Sequence, residues 1–305
     1  MKLEGIHHIT AITGDAQRNV DFYVGVLGLR LVKKTVNQDD PTVYHLFYAD
    51  EKGDPGSDLT FFEYPGAPRG RAGEGMIRGI RWRVGGEQAL DFWAERLGAN
   101  GTEAELEDGH LRFEDPEGLG HALKVVETSD EPLIADHPEI PSEMALQGFD
   151  GALAYSSDPD ASRSLLEEAL EFEPVGERGW EARGERRGGL WGYADPPAER
   201  GLQGAGSVHH IAWASQIDDH EKWRERVLAA GARPTPVIDR FYFRSIYFRE
   251  PSGVLFEIAT VGPGFTVDEP LESLGERLSL PPAFEHLRDE VEPRLRPITN
   301  PRVPA

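Results

Sequence analysis

The chain has 305 residues, 39% of them apolar and 28% charged, with a formal net charge of −22. This is the composition of a soluble globular protein long enough for one large domain or two ordinary ones, and so acidic a balance repels phosphate backbones and speaks against nucleic acid as a partner. There is no cysteine, which excludes disulfides, thiolate ligands and a cysteine nucleophile, so a bound metal would need His, Asp, Glu or backbone oxygen. No apolar run approaches the ~18 residues of a membrane span. The amino terminus MKLEGIHHIT shows no signal-peptide pattern, and a cytoplasmic location without membrane attachment is the expectation.

In chain order, the first predicted strand is GIHHIT (5–10). Asp15 follows as a helix N-cap, and Val20, Tyr23, Val24 and Leu27 recur at helical spacing up to Gly28, a stop signal. The strand-like stretches LRLVKKTVN, VYHLFYA and DLTFFEY complete a unit spanning roughly 4–65. A Gly/Pro/Arg stretch, YPGAPRGRAGEG, reads as a linker. A second unit (75–128) opens with IRGIRWRV, continues with a helix carrying Leu90, Trp93 and Leu97, and ends in HLRFEDPEGLGHALKVVE. The acidic SDEPLIADHPEIPSE is a further linker that divides the chain into halves. The third unit (146–196) runs from GFDGALAYS through a helix with Leu165, Leu166, Ala169 and Leu170 to GGLWGYAD. The fourth (206–262) runs from VHHIAW through a helix with Trp223, Val227 and Leu228 to FYFRSIYF and GVLFEIATV. Each unit reads strand, helix, then about three strands, a repeat to be recognised before any fold is named. In the tail, Phe284, Leu287, Val291 and Leu295 predict a short helix packed on the body. RGERRGG lacks the strand–GxGxxG–helix setting of a nucleotide loop.

The His-His pairs of units one and four are the unusual feature. Neighbouring side chains on a strand point to opposite faces, so one histidine of each pair can reach a common centre. Matching the units sets His8 with His210 and His7 with His209. GVLFEIATV is apolar apart from Glu257, and an ionised carboxylate in a buried strand is costly unless a cation or dedicated donors neutralise it; an arginine such as Arg244 or Arg249 is the plainer partner. Two histidines and one carboxylate with open positions form the facial triad of non-haem Fe(II) oxygen chemistry. If units one and four lie side by side, His8, His210 and Glu257 are that triad. Unit two offers Gly79 or Ile80 at the His position and Ala122 or Leu123 near the Glu position; unit three offers Asp150 or Gly151 and no Glu. One metal per chain is therefore expected. His45, His110, His121, His137, His220 and His286 lack a matching setting and read as surface or packing residues, and Trp213 and Trp223 as core.

With these motifs in hand, the chain resembles the vicinal oxygen chelate superfamily of glyoxalase, bleomycin-resistance and extradiol dioxygenase proteins. Within it, the chain is most similar to ring-cleaving dioxygenases of para-hydroquinones. GIHHIT, TFFEYPGAPRGRAG, VHHIAWA, DRFYFRSIYFREPSGVLFEIATVGPGF and LGERLSLPPAFEHLRDEVEPRL carry the resemblance, which spans nearly the whole chain. It implies an α+β fold of four βαβββ modules arranged as paired open mixed β-barrels with helices outside. Residues 1–135 would form an N-terminal domain of two modules, 136–265 a C-terminal domain of two more, and 266–305 a tail. The resemblance also implies Fe(II), sometimes Mn(II), on His8, His210 and Glu257. His7, His209, Arg240 and Tyr247, with Thr10 in addition, would line a pocket for a small aromatic substrate opened by O₂. His209 and Tyr247 are candidates for moving protons and Arg240 for stabilising negative charge. Oligomeric state is left open, a homo-oligomer included. Glu63 bears on the enzyme alternative. TFFEY in unit one matches LFEIA in unit four, with 55 residues from His8 to Glu63 against 47 from His210 to Glu257. If Glu63 also binds, two His and two Glu give the pattern of glyoxalase I-like isomerases, which use Zn or Ni without O₂. A non-catalytic ligand-sequestering protein of the same fold is the remaining reading.

Overall fold

The computed structural model describes residues 1–302. Unit one comprises β1 (Ile6–Thr13), α1 (Ala16–Val20) continued by a wider turn over Asp21–Val26, β2 (Arg30–Asn37), β3 (Asp40–Ala49) and β4 (Asp58–Glu63). Asp15 caps α1 as expected, its carboxylate accepting from the Arg18 amide. Gly28 ends the helical stretch in the left-handed region at φ 73°. Unit two is β5 (Ile77–Val84), α2 (Glu87–Ala99), β6 (Ala104–Glu107), β7 (His110–Glu114) and β8 (Gly120–Val125). Unit three is β9 (Phe149–Tyr155), β10 (Glu173–Pro174), β11 (Gly179–Arg183) and β12 (Gly188–Ala194). Its expected helix is reduced to two short non-α turns, Pro159–Ser162 and Leu165–Ala169, which still bury Leu165, Leu166 and Ala169. Unit four is β13 (Val208–Ser215), α3 (His220–Ala229), β14 (Ile238–Asp239), β15 (Arg244–Arg249) and β16 (Leu255–Thr260).

The strands form two eight-stranded mixed sheets. The first has the order β14-β15-β16-β13-β1-β4-β3-β2 and joins units one and four; the second, β10-β11-β12-β9-β5-β8-β7-β6, joins units two and three. Each sheet therefore draws on both halves of the chain. The middle of the first sheet is the antiparallel pair β1·β13, which sets the two His-His motifs side by side. Between the sheets lies an aromatic contact: Trp191 of β12 meets Phe256 of β16 at 5.0 Å and Trp213 of β13 at 6.2 Å between ring centroids. Trp213 and Trp223 are fully buried, as core residues should be. No helix among the described residues is long and apolar enough to cross a membrane.

The linkers do structural work. Residues 64–75 pair with residues 201–206 through Gly70 N–H to Ala205 O and reciprocal bonds between Arg71 and Leu202. In the acidic segment, Asp130 is buried and accepts from Arg83, Arg183 and the Gly188 amide, tying it to strands of units two and three. The tail runs along β2, the outer strand of the first sheet, with a parallel bridge from Lys34 to Leu278 that covers part of that edge. It reaches α4 (Arg288–Val291), whose Val291 is buried. Gly275 is needed for this approach: at φ 75°, a Cβ there would sit 2.0 Å from the Leu31 carbonyl oxygen.

Candidate metal centre

The β1·β13 register resolves the puzzle of adjacent histidines. Ile6 pairs with Trp213 and His8 with Ala212, so His7 is an extra residue on β1; Thr10 pairs with His210 and Ala11 with Val208, so His209 is an extra residue on β13. Both strands thus carry a bulge at the first histidine of the pair, and a bulge re-aims a side chain that strict alternation would send to the far face. In consequence both histidines of each pair turn toward the same region. His7 Nδ1 lies 2.9 Å from His8 Nδ1, and His209 Nδ1 lies 2.8 Å from His210 Nδ1.

His8, His210 and Glu257 converge and are buried. The Nε2 atoms of His8 and His210 are 3.3 Å apart, and Glu257 Oε2 lies 3.2 Å from His8 Nε2 and 3.0 Å from His210 Nε2. Glu257 has no solvent exposure, and neither carboxylate oxygen meets a donor in hydrogen-bonding geometry. Neither expected arginine serves it: Arg249 donates to the Gly253 carbonyl and Arg244 is exposed. Burial pushes the Glu257 carboxyl up, and the facing imidazoles more than reverse this, holding it well below the usual carboxylate range. Two imidazole nitrogens and an orphaned buried carboxylate within contact distance form a donor set that fits one divalent cation of the Fe, Mn, Zn or Ni class. A metal held through Nε2 would leave Nδ1–H of His8 and His210 to donate to the Nδ1 of His7 and His209. His7 then donates through Nε2–H to the Thr260 carbonyl, 3.0 Å away, so the chain of bonds fixes one tautomer throughout.

Tyr247, on β15 directly opposite Glu257, sets its ring edge-on to His210 at 5.6 Å. Arg240 stands in the tight 239–243 loop, where Phe241 adopts φ 71° and donates its amide to Asp239. The Arg240 guanidinium lies over the Tyr247 ring, its Nε 3.4 Å from the hydroxyl, and grips Asp39 of the β2–β3 hairpin with two further nitrogens at 3.2 and 3.0 Å. Burial and the Glu257 charge push the Tyr247 phenol up, keeping it protonated. Burial lowers the His7 imidazole to about 3 and the His209 imidazole to about 4, leaving both neutral. Thr10 is buried and accepts from Thr60 Oγ1 at 2.8 Å.

Glu63 is elsewhere. In the fourth unit the residue two after His210, Ala212, pairs with Glu257; the same position of unit one, two after His8, is Thr10, which pairs with Thr60. Thr60 therefore occupies the place of Glu257 in unit one, and the alignment of TFFEY with LFEIA is off by three residues. Glu63 accepts from the Ala16 amide at the start of α1. The same register identifies the ligand positions in the second sheet. Bulges at Arg78 and Asp150 match those at His7 and His209, which puts Gly79 and Gly151 at the His8 and His210 positions and Gly192 at the Glu257 position. At Gly151 a Cβ would lie 2.5 Å from the Leu190 carbonyl oxygen and 3.0 Å from Arg81 Nη2, so a ligand side chain has no room. The larger hollow of the molecule lies over this second sheet, away from the ligand cluster.

A smaller cavity opens on the His8–His210 cluster between Phe47, Phe62, Phe243, Arg240 and Tyr247. His45 also lines it, a placement beyond its expected role on the surface or in packing. Its signal was the one that singled out Glu257: a lone polar residue within an apolar strand, VYHLFYA. His121 and His220 are buried in packing roles, bonded to Tyr23 and Trp82 and to Ser215 respectively.

The family model described as Glyoxalase/Bleomycin resistance protein/Dioxygenase superfamily matches residues 5–121 and 148–258. A Bacillus subtilis (strain 168) protein, named provisionally as ring-cleaving dioxygenase MhqO, is 43% identical over 305 residues, covering 97% of each chain. The chlorohydroquinone/hydroquinone 1,2-dioxygenase of Sphingobium indicum is 35% identical over 323 residues, with 99% of this chain and 98% of that protein covered. A crystal structure from B. subtilis, described provisionally as a dioxygenase, superposes with a TM-score of 0.91 at 39% identity, covering 99% of each chain.

Proposed function

The chain belongs to the Glyoxalase/Bleomycin resistance protein/Dioxygenase superfamily, and from that premise we propose that it is a ring-cleaving dioxygenase that opens a hydroquinone or a related phenolic ring with O₂. The observation that carries this reading is a three-residue donor set, His8, His210 and Glu257, open toward an aromatic-walled cavity, with Thr60 rather than a fourth ligand at the equivalent place in unit one. The relatives named as ring-cleaving and hydroquinone dioxygenases support the choice of reaction and substrate. An isomerase built on two His and two Glu loses its second carboxylate, because Glu63 serves α1.

We assign Fe(II), with Mn(II) as a substitute, to His8, His210 and Glu257. Bound there, the metal would supply Lewis acidity toward a phenolic oxygen and the electron transfer that O₂ requires to react with a closed-shell ring. The residues of the chain do the rest. Phe62 and Phe243 present apolar faces to a ring lying in the cavity, and their enclosure excludes water. His209, neutral and with Nδ1 accepting from His210, carries its proton on Nε2, from which it can donate to oxygen of the opening ring. The Tyr247 hydroxyl remains protonated and donates to oxygen near His210. Arg240, fixed by Asp39, holds a positive charge beside that hydroxyl and offsets the negative charge that develops on oxygen as the substrate hydroxyl loses its proton. His7 positions His8 through its bond to the Thr260 carbonyl. Both atoms of O₂ enter the product, so no external reductant is required.

The test is O₂ uptake by anaerobically purified, Fe(II)-loaded protein with hydroquinone, methylhydroquinone, chlorohydroquinones and catechol. One O₂ consumed per ring, with a new ring-opened chromophore, is the expected result. Zinc-dependent isomerisation of a thiohemiacetal without O₂ uptake would overturn the reading, as would tight aromatic binding with neither activity.

A further inference from the structure

The part of the pocket lining that β3 supplies contains a polar group that the scheme above leaves idle. His45 lies on β3, paired with Phe62 of β4, and its ring packs against Phe47 at 4.0 Å and Phe62 at 4.4 Å between centroids. Its Nε2 is 2.9 Å from Thr60 Oγ1, and Thr60 in turn donates to Thr10 Oγ1 at 2.8 Å. A threonine hydroxyl has one proton. With that proton committed to Thr10, Thr60 accepts, His45 donates through Nε2–H, and His45 Nδ1 is left as an acceptor. No hydrogen-bond partner for Nδ1 occurs among the described residues, although the ring lines the cavity shared with His8 and His210. Burial, above all other influences, holds the imidazole well below its ordinary value, so the acceptor stays free of a proton.

We propose that His45 is a specificity-determining residue whose Nδ1 accepts a hydrogen bond from a second hydroxyl of the substrate, carried on the far side of the ring from the metal-directed oxygen. The inference rests on the dioxygenase reading and deepens it, because it names what the ring must bear. A neutral acceptor selects a donor: a para-hydroxyl satisfies it, a para-methoxy group does not. A catechol, with adjacent oxygens, brings nothing to that wall. Unit one, which lacks a carboxylate ligand at Thr60, thus contributes the recognition wall facing the side chains of unit four. The tether also explains why a threonine suits this place: its hydroxyl orients the imidazole.

The experiment is equilibrium binding under anaerobic conditions, read by calorimetry, of hydroquinone, 4-methoxyphenol and catechol to metal-loaded wild-type, His45→Phe, His45→Asn and Thr60→Val proteins, with metal content measured on each. The wild type should bind hydroquinone about tenfold more tightly than 4-methoxyphenol, the usual worth of one such bond. His45→Phe should abolish that preference at unchanged metal content, His45→Asn should retain part of it, and Thr60→Val should weaken it by releasing the ring. Equal affinities for the two ligands in the wild type would overturn the proposal. So would a parallel weakening of all three ligands in His45→Phe, the mark of a merely structural residue. Failure of the dioxygenase reading shows separately, as absence of O₂ uptake by a wild type that still discriminates between the ligands.

Discussion

At the residue scale, the site divides side chains that would hold the metal from those that would work beside it, and the two groups fail differently. Glu257 is fully buried and its oxygens have only two imidazoles before them. Replacing His8 or His210 by Ala, or Glu257 by Gln, should reduce bound iron to well below one per chain after gel filtration and lower turnover more than 10²-fold. Tyr247→Phe and His209→Ala touch no ligand atom of that set. They should keep iron near the wild-type level while lowering kcat by about 10²-fold, the usual worth of a positioned proton donor or acceptor. Metal analysis beside steady-state kinetics on the same preparations checks both; full turnover in Tyr247→Phe would remove the phenol from the scheme. The three proposed ligands were legible in the sequence because each breaks a pattern: a doubled imidazole, or a charge inside an apolar strand. His45 breaks the pattern in the same way, but without a partner motif in another unit it read as packing. The match of Glu63 to Glu257, weighed for the isomerase alternative, is off in position because motif similarity is stronger than register: the spacing from histidine to glutamate differs by eight residues between the units, and only the paired strands show that Thr60 is the equivalent position.

At the element scale, two buried ion clusters fix the segments around the sheets. Lys33 of β2 has no solvent exposure, and its ammonium meets Glu269 and, at 2.7 Å, Asp268 of the tail, with the Phe265 carbonyl at 3.2 Å. The Tyr242 ring next to the Arg240 loop lies 4.9 Å beneath it, and the Tyr242 hydroxyl donates to Asp268. Lys33→Met strands a buried carboxylate and should cost about 3–5 kcal/mol in denaturant unfolding, while Lys33→Met with Glu269→Gln should recover much of the loss. Asp130 supplies a pH test. Burial pushes its carboxyl up, but hydrogen bonds from Arg183, Arg83 and the Gly188 amide prevail and hold it at about 2. A depressed value stabilises the fold above the unfolded-state pKa near 4, and that contribution drains away as pH falls through 2. With Arg183 a third exposed and partly screened, the contribution is about 1–2 kcal/mol at neutral pH. Wild type and Asp130→Asn should therefore differ by that amount above pH 5 and converge toward pH 2; a constant difference across the range would contradict it. Sequence pattern marked the segment holding Asp130 as a linker because Pro and acidic residues dominate it, and the arginines that claim this carboxylate lie on strands far away in the chain. The β-bulges at His7 and His209 were equally hidden, since a one-residue register shift leaves hydrophobic alternation almost unchanged.

At the scale of the whole molecule, the four units pair first with fourth and second with third, so the same supersecondary unit serves two purposes. In the first sheet, histidines fill the positions beside each bulge; in the second, Gly79, Gly151 and Gly192 stand at the ligand positions, and Arg81 closes on the space beside Gly151. Metal binding should accordingly saturate at one ion per chain. The topology also makes the site depend on both halves. His8 is on β1 and His210 and Glu257 on β13 and β16, brought together by the β1·β13 pairing across the middle of the sheet. A fragment of residues 1–135 would keep β1 paired with β4 but lose β13, exposing a strand edge and leaving one of the three proposed ligands. The same fragment would lose β9, the partner of β5 in the second sheet. Expressed alone, that fragment should bind no iron at stoichiometric concentration and should aggregate or unfold without a cooperative transition. Co-expression with residues 136–305 should restore both the metal and the transition, because each half supplies the missing partner strand of both sheets. A lone half that retained iron would show that the ligands do not converge across the β1·β13 pair, and the proposed site would fall with it.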